Sequence, residues 1–260
     1  MGLYKKWCEA TRQKNARKRY WTYVEKDGGR EKIRAALTET IRGHYDKLDR
    51  IADDVARLGY EVAADILRAH LPQTSTGRSG DLGEILATEL VNEEIGLRVP
   101  VRRLRYKDGR NMAMRGDDFI GAGYGGQKSL LWLLKGEAKS NKVLGKSTVT
   151  SARKVLNRDN GRCTPDSLAF VANRLLESDD EADVQLGRDL RDEVGLKALR
   201  AGRIVHMLFT MSGNGPHASL KENLDAAGTD RDQYVVNLHI KDHQDFIREM
   251  YEEAEDLGDE

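Results

Sequence analysis

Apolar residues recur every three or four positions from Ile33 through Leu37, Ile41, Tyr45, Leu48, Ile51 and Val55 to Leu58. That stripe predicts a helix ending at Gly59, a residue suited to the left-handed turn after a helix. A second helix is expected to run to Leu71 and stop at Pro72, and "PQTSTGRSG" (72–80) reads as a loop and a domain boundary. From Asp81, "DLGEILATELVNEEIG" predicts a helix with Leu82, Ile85, Leu86 and Leu90 on one side and Gly96 at its end. "LRVPVRRLRY" and "NMAMRGDDFIG" read as strands joined across "KDGR", where Asp108-Gly109 signals a hairpin. Helices are expected over about 148–159, 164–177 and 181–199, strands at "GRIVHMLFTMSG" and 233–240, and a last helix in "KDHQDFIREMYEEAED". The order predicts an α/β chain: an N-terminal helical region over 1–78, then a domain over 79–260 with a mixed sheet flanked by helices.

One strand departs from the pattern of a simple core strand. In "SLLWLLKGEAKSNK" (129–142), five apolar residues fall in six positions and are followed almost at once by Glu137, Ala138 and Lys139. Alternate residues of a strand share a face, so Glu137 and Lys139 emerge side by side where burial makes charge costly. Upstream, "MRGDDFIGAG" sets Asp117 and Asp118 just before apolar residues resume. Alternation favours Asp118 over Asp117 as the acid that a neighbouring strand brings beside Glu137. Glu84, on the preceding helix, is a further candidate, although Asp81 and Glu84 also fit the capping pattern of a helix start. Carboxylates converging on a sheet end suit a hard cation: Mg²⁺ or Mn²⁺ held by Asp118 and Glu137, with Glu84 and the Ala138 carbonyl as additional ligands. Lys139 is placed to orient a water or to meet charge on a phosphate. The chemistry in outline is phosphodiester hydrolysis, with Asp118, Glu137 and Lys139 as the catalytic set.

The helix with Glu84, the strand with "RGDD" and the strand ending "GEAK" resemble the PD-(D/E)xK restriction-endonuclease-like core. The run "SGDLGEILATELV", "RGDDFIG", "LLWLLKGEAKSNK" and "TSARKVLNRDN" is similar to the nuclease subunit of Hachiman anti-phage defence systems, over roughly Ser79 to Phe209. The resemblance implies a Mg²⁺-dependent deoxyribonuclease that acts on DNA as effector, beside a DExH-type helicase subunit. The alternative is a catalytically silent nucleic-acid-binding or scaffold subunit that keeps the fold.

Composition adds limits. Hydrophobic residues make up 39% and charged residues 33% of 260 positions, and no stretch is long and apolar enough for a membrane span. With only Cys8 and Cys163, and no apolar leader at the N-terminus, a reducing cytoplasm is expected. Net charge is zero, yet the first 34 residues are basic and the tail from Lys241 is acidic. Trp7, Tyr20, Trp21 and Tyr23 offer either a partner surface or core packing. Four features read as weaker signals. "GAGYGG" (121–126) is better read as a hairpin loop than as a dinucleotide fingerprint, because a strand follows it. His239 and His243 straddle an element junction, "SGNGPHAS" fits a surface turn, and Arg153 and Lys154 fit either phosphate contacts or a solvated face.

Overall fold

The computed structural model describes residues 2–125 and 130–258. The chain opens with a short helix, α1 (Leu3–Trp7), and a hairpin of β1 (Cys8–Asn15) and β2 (Lys18–Glu25). Helices α2 (Gly29–Tyr45), α3 (Leu48–Leu58), α4 (Tyr60–His70) and α5 (Ser75–Leu90) follow. After a 3₁₀ turn at Arg103–Tyr106 come β3 (Phe119–Gly125), β4 (Leu130–Asn141), α6 (Lys146–Leu156), α7 (Pro165–Leu176) and α8 (Glu181–Leu196). The chain ends with β5 (Ile204–Ser212), α9 (Ala218–Ala226), β6 (Gln233–His239) and α10 (His243–Glu255).

Among the described residues the strands form one mixed sheet in the order β1-β2-β6-β5-β4-β3. The inner four run parallel, and β1 and β3 close the two edges antiparallel. Helices cover both faces, and β5, in the middle, is buried along its whole length, as expected for a parallel strand with helices on each side. Its Val205, Met207, Phe209 and Met211 pack with Leu37, Leu86 and Phe246 from α2, α5 and α10. On the other face Ile204 joins the α7–α8 core, and Leu208 joins the α6–α9 core. No helix of the described residues is long and apolar enough to cross a membrane.

Several local expectations need correction. Residues 29–70 are helical apart from short breaks, but residues 8–25 of the predicted helical region 1–78 form a hairpin. There β2 lies against β6, so the sheet draws strands from both sides of position 78. The reason is visible in "YWTYV": Trp21 and Tyr23 alternate inward and are buried, while Trp7 is fully covered. These three aromatics are core residues and supply no partner surface. The helix expected from Ile33 to Leu58 breaks at Asp46, whose carboxylate accepts the Lys47 N–H (2.7 Å), and Gly59 does end α3 with positive φ. Helix α5 begins within the predicted loop, because the Thr74 side chain accepts the Gly77 N–H and caps it. The predicted strand over 97–106 does not form, and of the one over 111–121 only Phe119, Ile120 and Gly121 are strand, as the start of β3: Arg98 makes one bridge to Ala122, and Arg102 and Arg105 instead reach the Gly43 carbonyl. Gly121, Gly123 and Gly125 lie within β3 rather than in a loop, and Gly126 falls outside the described residues.

Gly136 is the one position of β4 where a side chain cannot be added, because the Phe119 ring from β3 lies directly over it. Gly136→Ala is expected to lose about 1–3 kcal/mol by overpacking. Urea unfolding measures this, and Phe119→Leu in the same chain should recover part of the loss.

Candidate active site

The register of the β3–β4 ladder decides which residues meet. Phe119 pairs with Gly136, so Asp118, one residue before β3, comes opposite Glu137. The ladder ends there, and the Asp118 carboxylate takes the place of a strand partner by accepting the Ala138 N–H through Oδ2 (2.8 Å). Glu137 is almost fully covered, whereas Lys139 is one-third exposed at the mouth of the site. The Lys139 ammonium lies 2.5 Å from Glu137 Oε1 and 3.9 Å from Asp118 Oδ2. Asp118, Glu137, Ala138 and Lys139 are therefore gathered at one place, as the spacing predicts.

Electrostatics at this point are tense. Burial, then the facing Asp118 carboxylate, pushes the Glu137 carboxyl up to about 7, against the pull of Lys139. Asp118 is also raised, by burial, while Lys139 and the Ala138 N–H draw it down. For Lys139, burial favours the neutral amine, but Asp118 and Glu137 outweigh it and keep the ammonium protonated. Glu84 on α5 is close enough to feel Asp118: burial first, then Asp118 and Asp81, hold its carboxyl well above the usual range. Two carboxylates that repel each other at a partly open strand end are a donor set that a hard divalent cation would stabilise. Among the described residues no three His, Cys, Asp or Glu side chains stand as a group able to hold a metal ion. A cation between Asp118 and Glu137 would complete its shell with backbone, water or substrate oxygens, which suits Mg²⁺ better than a softer ion.

The neighbouring aspartate has a different task. Gly116, with φ +94°, precedes the two aspartates, and Asp117 makes contacts of its own. Asp117 accepts the Thr164 N–H (2.7 Å) and hydroxyl (2.9 Å) at the start of α7, while its own N–H donates to Ser167 Oγ. Its carboxylate lies 3.5 Å from the ammonium of Lys135, and both side chains are 1% exposed. Lys135 also donates to the Arg158 and Arg162 carbonyls (3.0 and 2.8 Å). Asp117 is thus fully used inside the fold.

Other candidates resolve into structure. Asp81 lies within α5 rather than at its start, ion-paired to Lys107 (2.8 Å). His239 approaches the Gly213 carbonyl and His243 bonds Ser140 Oγ, each with its own partner. His217 caps α9 by accepting the Ser219 N–H. Arg153 is buried and donates to Asn223 and Gln233, so it does not face solvent or a phosphate, while Lys154 is exposed. Cys8 and Cys163 are free and buried. Missing from the predicted set are the buried cations Arg103 and Lys107, which lie close enough to Glu84 to draw its carboxyl down. Their separation in the chain from every acid concerned gave no periodic signal.

Comparison with known proteins finds a family match over nearly all of these 260 residues. Residues 2–254 match the family described as HamA. A curated relative, the Hachiman protein HamA of Bacillus cereus, is 25% identical over 185 residues, covering 71% of this chain. The matched region spans 63% of that relative's length.

The two aspartates should separate cleanly in stability. Asp117→Asn leaves Lys135 buried without its counterion and should cost about 3–5 kcal/mol. Asp118→Asn keeps an acceptor for the Ala138 N–H and removes a like charge beside Glu137, so its loss should be far smaller than that of Asp117→Asn. Glu137 sets a pH dependence in EDTA. Its carboxyl holds a proton more tightly folded than unfolded, so its stabilising contribution is full below pH 4.5 and is lost as pH rises through about 7. Glu137→Gln should flatten the stability profile across that window, as read by urea unfolding at several pH values.

Proposed function

Because the chain belongs to the HamA family, we propose that it is the metal-dependent DNA nuclease of a Hachiman anti-phage defence system, working with a DExH-type helicase subunit. The observation that carries this reading is the meeting of Asp118, Glu137 and Lys139 at the open end of the β3–β4 ladder. Family membership accounts for the defence setting, and the donor chemistry accounts for Mg²⁺ or Mn²⁺. Asp118 and Glu137 would hold the ion, with the Ala138 carbonyl as a further oxygen donor, while Glu84, which does not stand with them as a third ligand, acts on Asp118 through its charge. When bound, such an ion supplies positive charge beside the scissile phosphate and makes water more acidic.

The chain's own residues do the rest. The Ala138 N–H fixes the Asp118 carboxylate at the strand end, so little reorganisation is needed on binding. Lys139, kept protonated by two carboxylates, orients the attacking water and meets charge that builds on the phosphate oxygens. Binding of a cation to Glu137 would release Lys139 from its ion pair and free it for the phosphate. Hydrolysis forms one bond, water oxygen to phosphorus, and breaks one, phosphorus to the leaving sugar oxygen. The proton of the water reaches that oxygen by way of solvent.

Plasmid degradation is the direct test. Glu137→Ala and Lys139→Ala should each reduce cleavage by orders of magnitude with folding retained, because groups that act together do not lose activity additively. EDTA should stop cleavage and Mg²⁺ restore it. Activity within a few-fold of wild type in both variants would sink the assignment. Co-expression with the helicase subunit should give a complex, and Glu137→Ala in that complex should abolish phage protection without preventing assembly.

A further inference from the structure

The segment between α5 and β3 brings two cations to the acidic side of the candidate site. Arg103, on the 3₁₀ turn, is 6% exposed, and its Nη2 donates to the Arg115 carbonyl (2.7 Å), three residues before Asp118. Its Nε is buried with no hydrogen-bond partner among the described residues, and its guanidinium lies 6.0 Å from the Phe170 ring centroid. Lys107, just past the same turn, donates to both oxygens of Asp81 on α5 (3.0 and 2.8 Å) with its side chain almost wholly covered. Asp81 lies one turn before Glu84 on that helix. A buried cation that is less than fully hydrogen-bonded is costly unless nearby negative charge compensates it. Lys107 meets that need in Asp81, one turn before Glu84, and Arg103 is tied to the segment that leads to Asp118.

We propose that Arg103 and Lys107 are positioning residues of the candidate centre. One short turn delivers both cations, anchors the segment that ends at Asp118 through the Arg115 carbonyl, and anchors α5, with Glu84, through Asp81. Neither residue touches the reacting phosphate; they set where two of the carboxylates stand. This inference rests on the nuclease reading of the same site. Supporting groups of this kind around a metal site are worth about 10–100-fold in metal affinity or activity.

The test uses the full chain with three variants: Arg103→Met, Arg103→Lys and Lys107→Met. Cleavage of a linear duplex is followed against Mg²⁺ concentration, Mn²⁺ binding by calorimetry, and folding by thermal melting. Arg103→Met should cleave about 10–100-fold more slowly and bind Mn²⁺ about tenfold more weakly, with Lys107→Met smaller in both. Arg103→Lys should recover most of the loss, although it melts no higher than the Met variant. Combining Arg103→Met with Glu84→Gln should cost less than the product of the single losses. A merely structural role predicts that activity tracks melting and that Lys gives no recovery, and that result overturns the proposal. Equal Mn²⁺ affinity in wild type and Arg103→Met also overturns it. Wild type that binds Mn²⁺ but cleaves nothing, with weaker binding in Arg103→Met, rejects the nuclease reading and keeps the positioning role. Wild type that neither cleaves nor binds Mn²⁺ rejects both.

Discussion

The ion pair between Asp117 and Lys135 sits at the junction of four pieces of chain, and the candidate site depends on its being made. Lys135 belongs to β4, Asp117 to the approach to β3, Thr164 and Ser167 to the start of α7, and the Arg158 and Arg162 carbonyls to the loop after α6. That loop passes through left-handed backbone at Asp159, Asn160 and Gly161 in succession. The Gly161 carbonyl accepts from His206 Nε2, and Arg231 reaches the same oxygen. Burial, with Arg231 adding to it, keeps His206 neutral down to about 3. The loop thus satisfies buried donors with backbone oxygens, which are cheaper than further carboxylates because they carry no net charge.

With Asp117 committed to Lys135 and the start of α7, Asp118 is left for the open end of the ladder, and the chemistry there follows. A backbone N–H that would otherwise lack a strand partner becomes the anchor of a carboxylate. The second carboxylate arrives on β4 itself, two residues beyond Lys135. Their repulsion is tolerated because Lys139 lies close to both and because Asp118 keeps some access to solvent. Neutralising such a pair fully with fixed lysines would stabilise the fold. Leaving it partly unbalanced instead leaves room for a cation.

Arginine performs several of the packing tasks that the charge-rich sequence obscures. Arg17 is tied to Asp232 and to the Gly202 carbonyl, which docks the β1–β2 hairpin against the segments before β6 and β5. Arg12 stacks on Trp21, and Arg19 on Tyr234. Much of the basic N-terminal stretch is therefore committed to holding the hairpin on the sheet. The guanidinium suits this work, because its flat face packs on rings while its edge donates to carbonyls.

The amino-acid sequence by itself determined the elements whose burial is periodic or continuous. Helix α5 with Leu82, Ile85, Leu86 and Leu90, the strand carrying Glu137 and Lys139, β5, β6 and the last helix are all legible, because water exclusion imposes a repeat on neighbouring residues. It also determined that Glu137 and Lys139 share a face, since alternation in a strand is local geometry. Only the tertiary structure decided the rest. Residues 8–25 are strands because β6, more than 200 residues later, supplies the partner, and no local rule carries that distance. Residues 97–118 are irregular because Arg102, Arg103 and Arg105 find backbone carbonyls in place of a ladder. Alternation already favoured Asp118 over Asp117, but what occupies Asp117, a lysine on β4 and the start of α7, lay in the tertiary structure. Arg103 and Lys107 join the acids for the same reason: charge compensation acts through space, between residues that share nothing along the chain.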